Sequence, residues 1–204
     1  MKSWKACSAM LSLVVAVVGL GGPMKAHGAD TSEETLTPVQ VGESAPDFKL
    51  PKPPKPVEDG PLLKWPESLA AYKGKQNVVL AFYPKAFTSG CTAQLCGYRD
   101  TIEEFASADT AIVAISVDPQ EESEAFRKEY QLPFPVVGDP DHKLVKQYGV
   151  PMVTFGELEL AKRSVYLIDK EGIVRYIDPD YVIGSDEAPL MAAINKLQEA
   201  DEDA

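Results

Sequence analysis

Two unbroken apolar runs dominate the middle of the chain. Asn77-Val-Val-Leu-Ala-Phe-Tyr83 and Ala111-Ile-Val-Ala-Ile-Ser-Val117 show no polar alternation. That is the pattern of short buried strands, and Pro84 ends the first of them. Between the two runs, Cys91, Leu95, Tyr98, Ile102 and Phe105 recur at intervals of four, three, four and three residues, one face of a helix. After the second run, Asp118-Pro119 opens a helix with acids at its start and Arg127-Lys128 near its end, matching the helix dipole. Phe134-Pro-Val-Val137 reads as a short strand and Asp141 to Tyr148 as a short helix. Ser164-Val-Tyr-Leu-Ile168 and Ile173-Val-Arg-Tyr-Ile177 read as strands joined by a hairpin turn, Asp169-Lys-Glu-Gly172. A last helix starts at about Ser185 and turns Leu190, Ile194 and Leu197 inward. Strands alternating with helices, then a hairpin and a closing helix, predict an α/β layer fold.

The ends of the chain follow other patterns. Lys2 and Lys5 precede an apolar, small-residue stretch from Ala6 to Gly22, and Ala26-His27-Gly28-Ala29 follows Pro23. A basic start, an apolar middle and a small-residue site match a secretory signal peptide. Residues 1–28 are expected to be removed, with Ala26 at the −3 position, and the protein to be exported to the periplasm. The alternative is an uncleaved membrane anchor, but the clean apolar run is short of the roughly 20 residues that span a bilayer. Residues 29–40 are expected to form a flexible mature N-terminus, 41–198 a single domain, and 199–204 a disordered acidic tail. Residues 29–50 are polar, then weakly apolar at Val39, Val41, Phe48 and Leu50. Six prolines between Pro51 and Pro66 exclude helix or central strand, so that stretch is expected to be an extended surface loop. There is no internal repeat.

Charge and cysteine count narrow the function. The 204 residues carry 20 basic and 31 acidic side chains. Loss of residues 1–28 removes three lysines and no acid, leaving 17 basic against 31 acidic, a net of −14 over 176 residues. That charge argues against nucleic acid and anionic membrane surfaces as partners. Cys7 would leave with the leader, so the mature chain holds Cys91 and Cys96 alone. Two cysteines in an exported protein ordinarily make one structural disulfide. The spacing argues otherwise. Cys91 falls at the start of a helix that follows a buried strand, where free N–H groups and the dipole favour the thiolate. Cys96 lies five residues on, which in a helix is a rise of about 7.5 Å and a rotation of about 140°. Disulfides need Cα atoms within about 7 Å and converging Cβ vectors. A helical pair therefore bonds only if the helix unwinds, and Gly97 lowers the local helix preference by about 1 kcal/mol relative to alanine. Such a pair is a redox switch. The other reading, a static bridge in a segment that is never helical, conflicts with the five-position apolar face.

The surrounding residues carry a family resemblance. Pro84-x-x-x-Thr88-x-x-Cys91 matches the Pro-x-x-x-Thr/Ser-x-x-Cys signature of peroxiredoxins. The longer string Phe82-Tyr-Pro-Lys-Ala-Phe-Thr-Ser-Gly-Cys-Thr-Ala-Gln-Leu-Cys-Gly-Tyr-Arg-Asp100 resembles the bacterioferritin comigratory protein, or peroxiredoxin Q, branch. Ala45-Pro-Asp-Phe48 and Arg163-Ser-Val-Tyr-Leu-Ile-Asp169 are similar to further landmarks, and the similarity extends from Val41 to about Leu197. The resemblance implies a thioredoxin-like fold of peroxiredoxin type, with a central mixed sheet flanked by helices. It implies a peroxidase that reduces hydrogen peroxide and organic hydroperoxides, with Cys91 as peroxidatic and Cys96 as resolving cysteine, joined in a disulfide within the chain. Thr88 would hold thiolate and peroxide through its hydroxyl. Arg163 would favour the thiolate and stabilise charge passing along the O–O bond. Pro84 would shield the pocket and remove a competing donor. Gln94 stands where the family often has glutamate. The reductant would be thioredoxin or a thioredoxin-like protein, and the chain a monomer without cofactor.

Each residue also has a plainer reading: Thr88 as a turn or cap residue, Arg163 as a surface charge, Pro84 as a strand terminator. His142 reads as a surface residue at a helix start, and no ligand cluster for a metal remains. A thioredoxin-like disulfide exchanger would want Cys-x-x-Cys, and a copper-delivery protein of the same fold Cys-x-x-x-Cys with a histidine ligand; the spacing here fits neither. A secreted domain with a structural disulfide would leave Thr88 and Arg163 as accidents.

Overall fold

The computed structural model describes residues 37–54 and 64–202. The expected leader, most of the expected flexible N-terminus and the centre of the proline-rich stretch lie outside the described residues. Among the described residues, seven strands and five helices follow in chain order. They are β1 (Asn77–Phe82), α1 (Ser89–Asp100), α2 (Ile102–Ser107), β2 (Thr110–Ser116), α3 (Gln120–Glu129), β3 (Val136–Gly138), α4 (Lys143–Tyr148), β4 (Met152–Phe155), β5 (Leu158–Ala161), β6 (Ser164–Ile168), β7 (Val174–Asp178) and α5 (Glu187–Glu202). A turn of 3-10 helix, Leu69–Tyr72, precedes β1.

The central sheet has the order β3-β2-β1-β6-β7. β1 pairs in parallel with β2 and β2 with β3, while β6 runs antiparallel to β1 and β7 antiparallel to β6. This is the mixed sheet of the expected α/β fold. Burial on both faces explains the lack of alternation in β1. Val79, Ala81 and Tyr83 face one core, with Cys91 and Leu95 of α1, Phe126 of α3, and Leu190 and Ile194 of α5. Val78, Leu80 and Phe82 face the other, with Val113, Ile115, Tyr148 and Tyr166. The tyrosine and phenylalanine rings of that second core meet edge-on or tilted at 5.4 to 5.6 Å.

Several expectations change. The apolar face from Cys91 to Phe105 spans two helices, because Thr101 leaves helical geometry at φ −109° and ψ 18°. Its hydroxyl and its N–H both donate to the Gly97 carbonyl, at 3.0 and 3.1 Å, a side-chain competition that bends helices. The N-terminus expected to be flexible through residue 40 is ordered where it is described. Val39 is buried in the second core, and Pro38 packs over Gly149. The acidic tail does not begin at 199, since α5 continues to Glu202 and Lys170 pairs with Asp201 at 2.9 Å. At the ends of the proline stretch, Trp65 donates from Nε1 to the Pro51 carbonyl at 2.6 Å, and the Arg127 guanidinium lies 5.9 Å from the Trp65 ring. β4 and β5 form a separate two-stranded antiparallel sheet that no periodicity in the sequence announces.

Candidate active site

The sheet order decides what meets at one edge. The register pairs Phe82 of β1 with Ile115 of β2 on one side and with Ser164 of β6 on the other. The carboxyl end of β1 therefore sits between the carboxyl end of β2 and the amino end of β6. This is the end of the sheet where the parallel strands β1 and β2 have their carboxyl ends, the end at which α/β sheets build sites. The loop Pro84–Thr88 leaves β1 here, and α1 starts at Ser89.

Cys91 occupies the first turn of α1 and is buried, with a free thiol. Cys96 is on the same helix, half-buried and also free. Both cysteines are helical, so a bond between them requires α1 to unwind. Arg163 stands immediately before β6, and its Nη2 donates to Cys91 Sγ at 3.6 Å. A residue 72 positions away is thus brought to the thiol by one antiparallel strand pairing. Gly90 makes room for it, because a Cβ there would lie 3.3 Å from Arg163 Nη2.

Gln94 is buried one turn beyond Cys91 and accepts from Arg163 Nη1 through Oε1. Its Nε2 donates to the Tyr98 hydroxyl at 3.3 Å. Burial pushes the Tyr98 phenol above its ordinary value, so that oxygen stays neutral beside the guanidinium. A neutral acceptor at position 94 holds Arg163 without neutralising it, and the cation remains available to sulfur. Thr88 is the residue before α1; its hydroxyl caps no helix N–H and donates instead to the Lys85 carbonyl at 3.0 Å. Pro84 is half-buried at the mouth of the same loop. His142, by contrast, precedes α4 in a left-handed conformation, φ 55°, away from this group of contacts.

The sequence pattern makes Asp118 the opener of α3. In fact Pro119 holds the cap position, and the Asp118 carboxylate turns the other way, to Lys85, the Ala86 N–H and Ser116. Gly90 and Asp118 are the site residues that sequence reasoning missed. Gly90 signals itself only as a glycine directly before the cysteine. Asp118 becomes visible once β2 is known to lie beside β1.

A family model described as the AhpC/TSA family matches residues 41–177, two thirds of the chain. The chain belongs to the AhpC/TSA family. Within it, a peroxiredoxin Bcp of Bacillus subtilis is 39% identical over 137 residues, 66% of this chain and 81% of that protein. A chloroplastic peroxiredoxin Q of Populus jackii is 40% identical over 139 residues, 68% of this chain; the match spans 60% of the relative's length. The solved structure of the peroxidoxin BcpB from Mycobacterium tuberculosis superposes with a TM-score of 0.64 at 26% identity, covering 78% of this chain and 98% of that one. The family resemblance drawn from the motifs around Cys91 is borne out, the branch is peroxiredoxin Q/Bcp, and the fold is thioredoxin-like of peroxiredoxin type.

Proposed function

We propose that this chain is a thiol-dependent peroxidase with Cys91 as its peroxidatic residue. The observation that carries the reading is the buried Cys91 thiol in the first turn of α1 with Arg163 Nη2 at 3.6 Å. The Cys91 thiolate attacks the terminal oxygen of a hydroperoxide. The O–O bond breaks, the alcohol or water leaves with a proton, and Cys91 becomes a sulfenic acid. Arg163 faces the charge that passes from sulfur to the leaving oxygen, where a fixed cation stabilises the transition state. Thr88 holds the peroxide oxygen, Gln94 orients Arg163, and Pro84 closes the mouth of the loop.

The Cys96 thiol then attacks the Cys91 sulfenic sulfur and expels water, which leaves a disulfide between them. Both residues lie in one continuous helix, so this step unwinds the first turns of α1. A dithiol reductant of thioredoxin type restores the two thiols. Residues 1–28 act as an export signal, the working protein is periplasmic and monomeric, and its reductant is a thioredoxin-like protein on the outer side of the membrane. Hydrogen peroxide and organic hydroperoxides are both proposed substrates. The disulfide-exchange alternative is not favoured by the family assignment.

The test is a peroxide-consumption assay with a dithiol reductant. Sustained turnover is expected for the wild type and none for Cys91→Ser. Cys96→Ser should complete one turnover and stop with Cys91 as sulfenic acid, as trapped by dimedone. Absence of peroxide consumption by the reduced wild type overturns the reading.

A further inference from the structure

The loop that carries Thr88 is gripped from outside itself. Asp118, two residues beyond the end of β2, is almost fully buried, at 3% exposure. Its Oδ2 accepts from the backbone N–H of Ala86 at 2.7 Å and from Ser116 Oγ at 2.9 Å. Its Oδ1 accepts from Lys85 Nζ at 2.7 Å, and Lys85 reaches Glu122 of α3 at 3.2 Å. A buried carboxylate is tolerated only when paired and hydrogen-bonded, and three donors meet that need here. Two of the three belong to consecutive residues of the active-site loop.

The next residues show what the grip does. Phe87 is held at φ 60°, a left-handed conformation that a bulky side chain adopts only when its surroundings impose it. Thr88 donates its hydroxyl proton to the Lys85 carbonyl at 3.0 Å. That leaves the lone pairs of Thr88 Oγ1 to accept the O–H of a hydroperoxide. The orientation of the hydroxyl therefore depends on the Lys85 carbonyl, and the peptide that carries this carbonyl ends in the Ala86 N–H held by Asp118.

We propose that Asp118 is a positioning residue of the peroxidase reaction, which sets the Thr88 hydroxyl through the Lys85–Ala86 peptide and so fixes the peroxide over Cys91. The proposal rests on the roles given above to Cys91 and Thr88. It separates two functions on two strand ends: β6 delivers the cation to the thiol through Arg163, and β2 delivers the peroxide acceptor through Asp118.

Asp118→Asn keeps the shape of the side chain but turns an amide toward donors. The expected result is a ten- to hundredfold lower rate constant for Cys91 oxidation by peroxide, the scale of loss for a misplaced reacting group. The rate of Cys91 alkylation by iodoacetamide, and its pH profile, should stay at the wild-type level, because Arg163 and α1 are untouched. Thr88→Val should slow peroxide oxidation, and Asp118→Asn added to it should cost nothing further, since the two act as one unit. Lys85→Met, which removes a single half-exposed contact of the carboxylate, should show a smaller loss in the same sense and guards against a folding failure of Asp118→Asn. If Asp118→Asn and Lys85→Met oxidise at the wild-type rate while Thr88→Val is slow, the positioning role is wrong and Thr88 stands. If oxidation and alkylation fall together in Lys85→Met and Asp118→Asn, the grip is structural only and the proposal fails. If Thr88→Val reacts like the wild type, the role of Thr88 fails and this inference with it.

Discussion

Arg163 and Lys85 do opposite work with the same charge. Arg163 is held by a neutral partner, Gln94, and spends its cation on sulfur. Replacing Arg163 with methionine should slow peroxide oxidation of Cys91 by on the order of a hundredfold or more, because a preorganised charge is lost from the transition state. Stopped-flow oxidation kinetics read this directly, and an unchanged rate constant removes Arg163 from the site. Lys85 spends its cation on the fold. Its ammonium is held above its ordinary value, mainly by the hydrogen bond to Asp118 and secondarily, against the effect of burial, by Glu122. A raised folded value means that the pair's stabilisation is complete below the ordinary lysine value of 10.5 and fades as pH rises through the raised value. The stability gap between wild type and Lys85→Met in urea unfolding should thus be present at pH 8 and shrink at the alkaline end. A gap independent of pH would mean that packing of the lysine stem, and not its charge, holds the loop.

At the scale of elements, α1 is the part that has to come apart. It is tied down at several points along its length: Leu95 is fully buried, Gln94 binds Arg163, and Arg99 Nη1 donates to the Tyr130 carbonyl at 2.8 Å. Oxidation to the Cys91–Cys96 disulfide requires that at least the ties nearest the cysteines give way. Amides between Thr92 and Asp100 should therefore exchange hydrogen faster in the oxidised protein than in the reduced one, because exchange reports local opening. Equal exchange in both redox states would mean that the two cysteines do not form the bridge proposed here. The loop after α4 makes a second test. Gly149 has φ +67°, and a Cβ placed on it would lie 2.3 Å from the Pro38 Cβ. Gly149→Ala combines left-handed strain of about 1–2 kcal/mol with displacement of the strand of chain that buries Val39. A loss of about 2 kcal/mol or more by chemical denaturation is expected, with residues 38–40 becoming accessible to proteases. A neutral substitution would show that this N-terminal segment contributes nothing to the fold.

For the whole molecule, the sharpest expectation concerns where the chain begins once it has reached its place of work. Protein isolated from whole cells should start near Ala29 by N-terminal sequencing and fractionate with the periplasm; a chain starting at Met1 in the cytoplasmic fraction would remove the export proposal. The apolar runs, the helix faces and the turn at Gly172 were legible along the chain because each is a local periodicity, and β1, β2, β6 and β7 fall within a residue of their expected bounds. The thiol and its partner were legible for the same reason, as two cysteines on one helix beside a short motif. Other features were not local. The β4–β5 hairpin leaves no alternating pattern, because β4 is exposed along its whole length and β5 reaches the core only at its end, at Ala161. Nothing local ties Val39 down, because its partners are far along the chain. Asp118 looked like a helix opener because nothing in its own neighbourhood names Lys85 or Ala86, which lie more than thirty residues earlier. The sequence by itself determined the fold class, the family motif and the helical placement of Cys91 and Cys96, since short-range spacing and hydrophobic burial are written into consecutive residues. Only the tertiary structure decided that Arg163 reaches the thiol and that Asp118 holds the loop before it, because both depend on which strands lie on either side of β1.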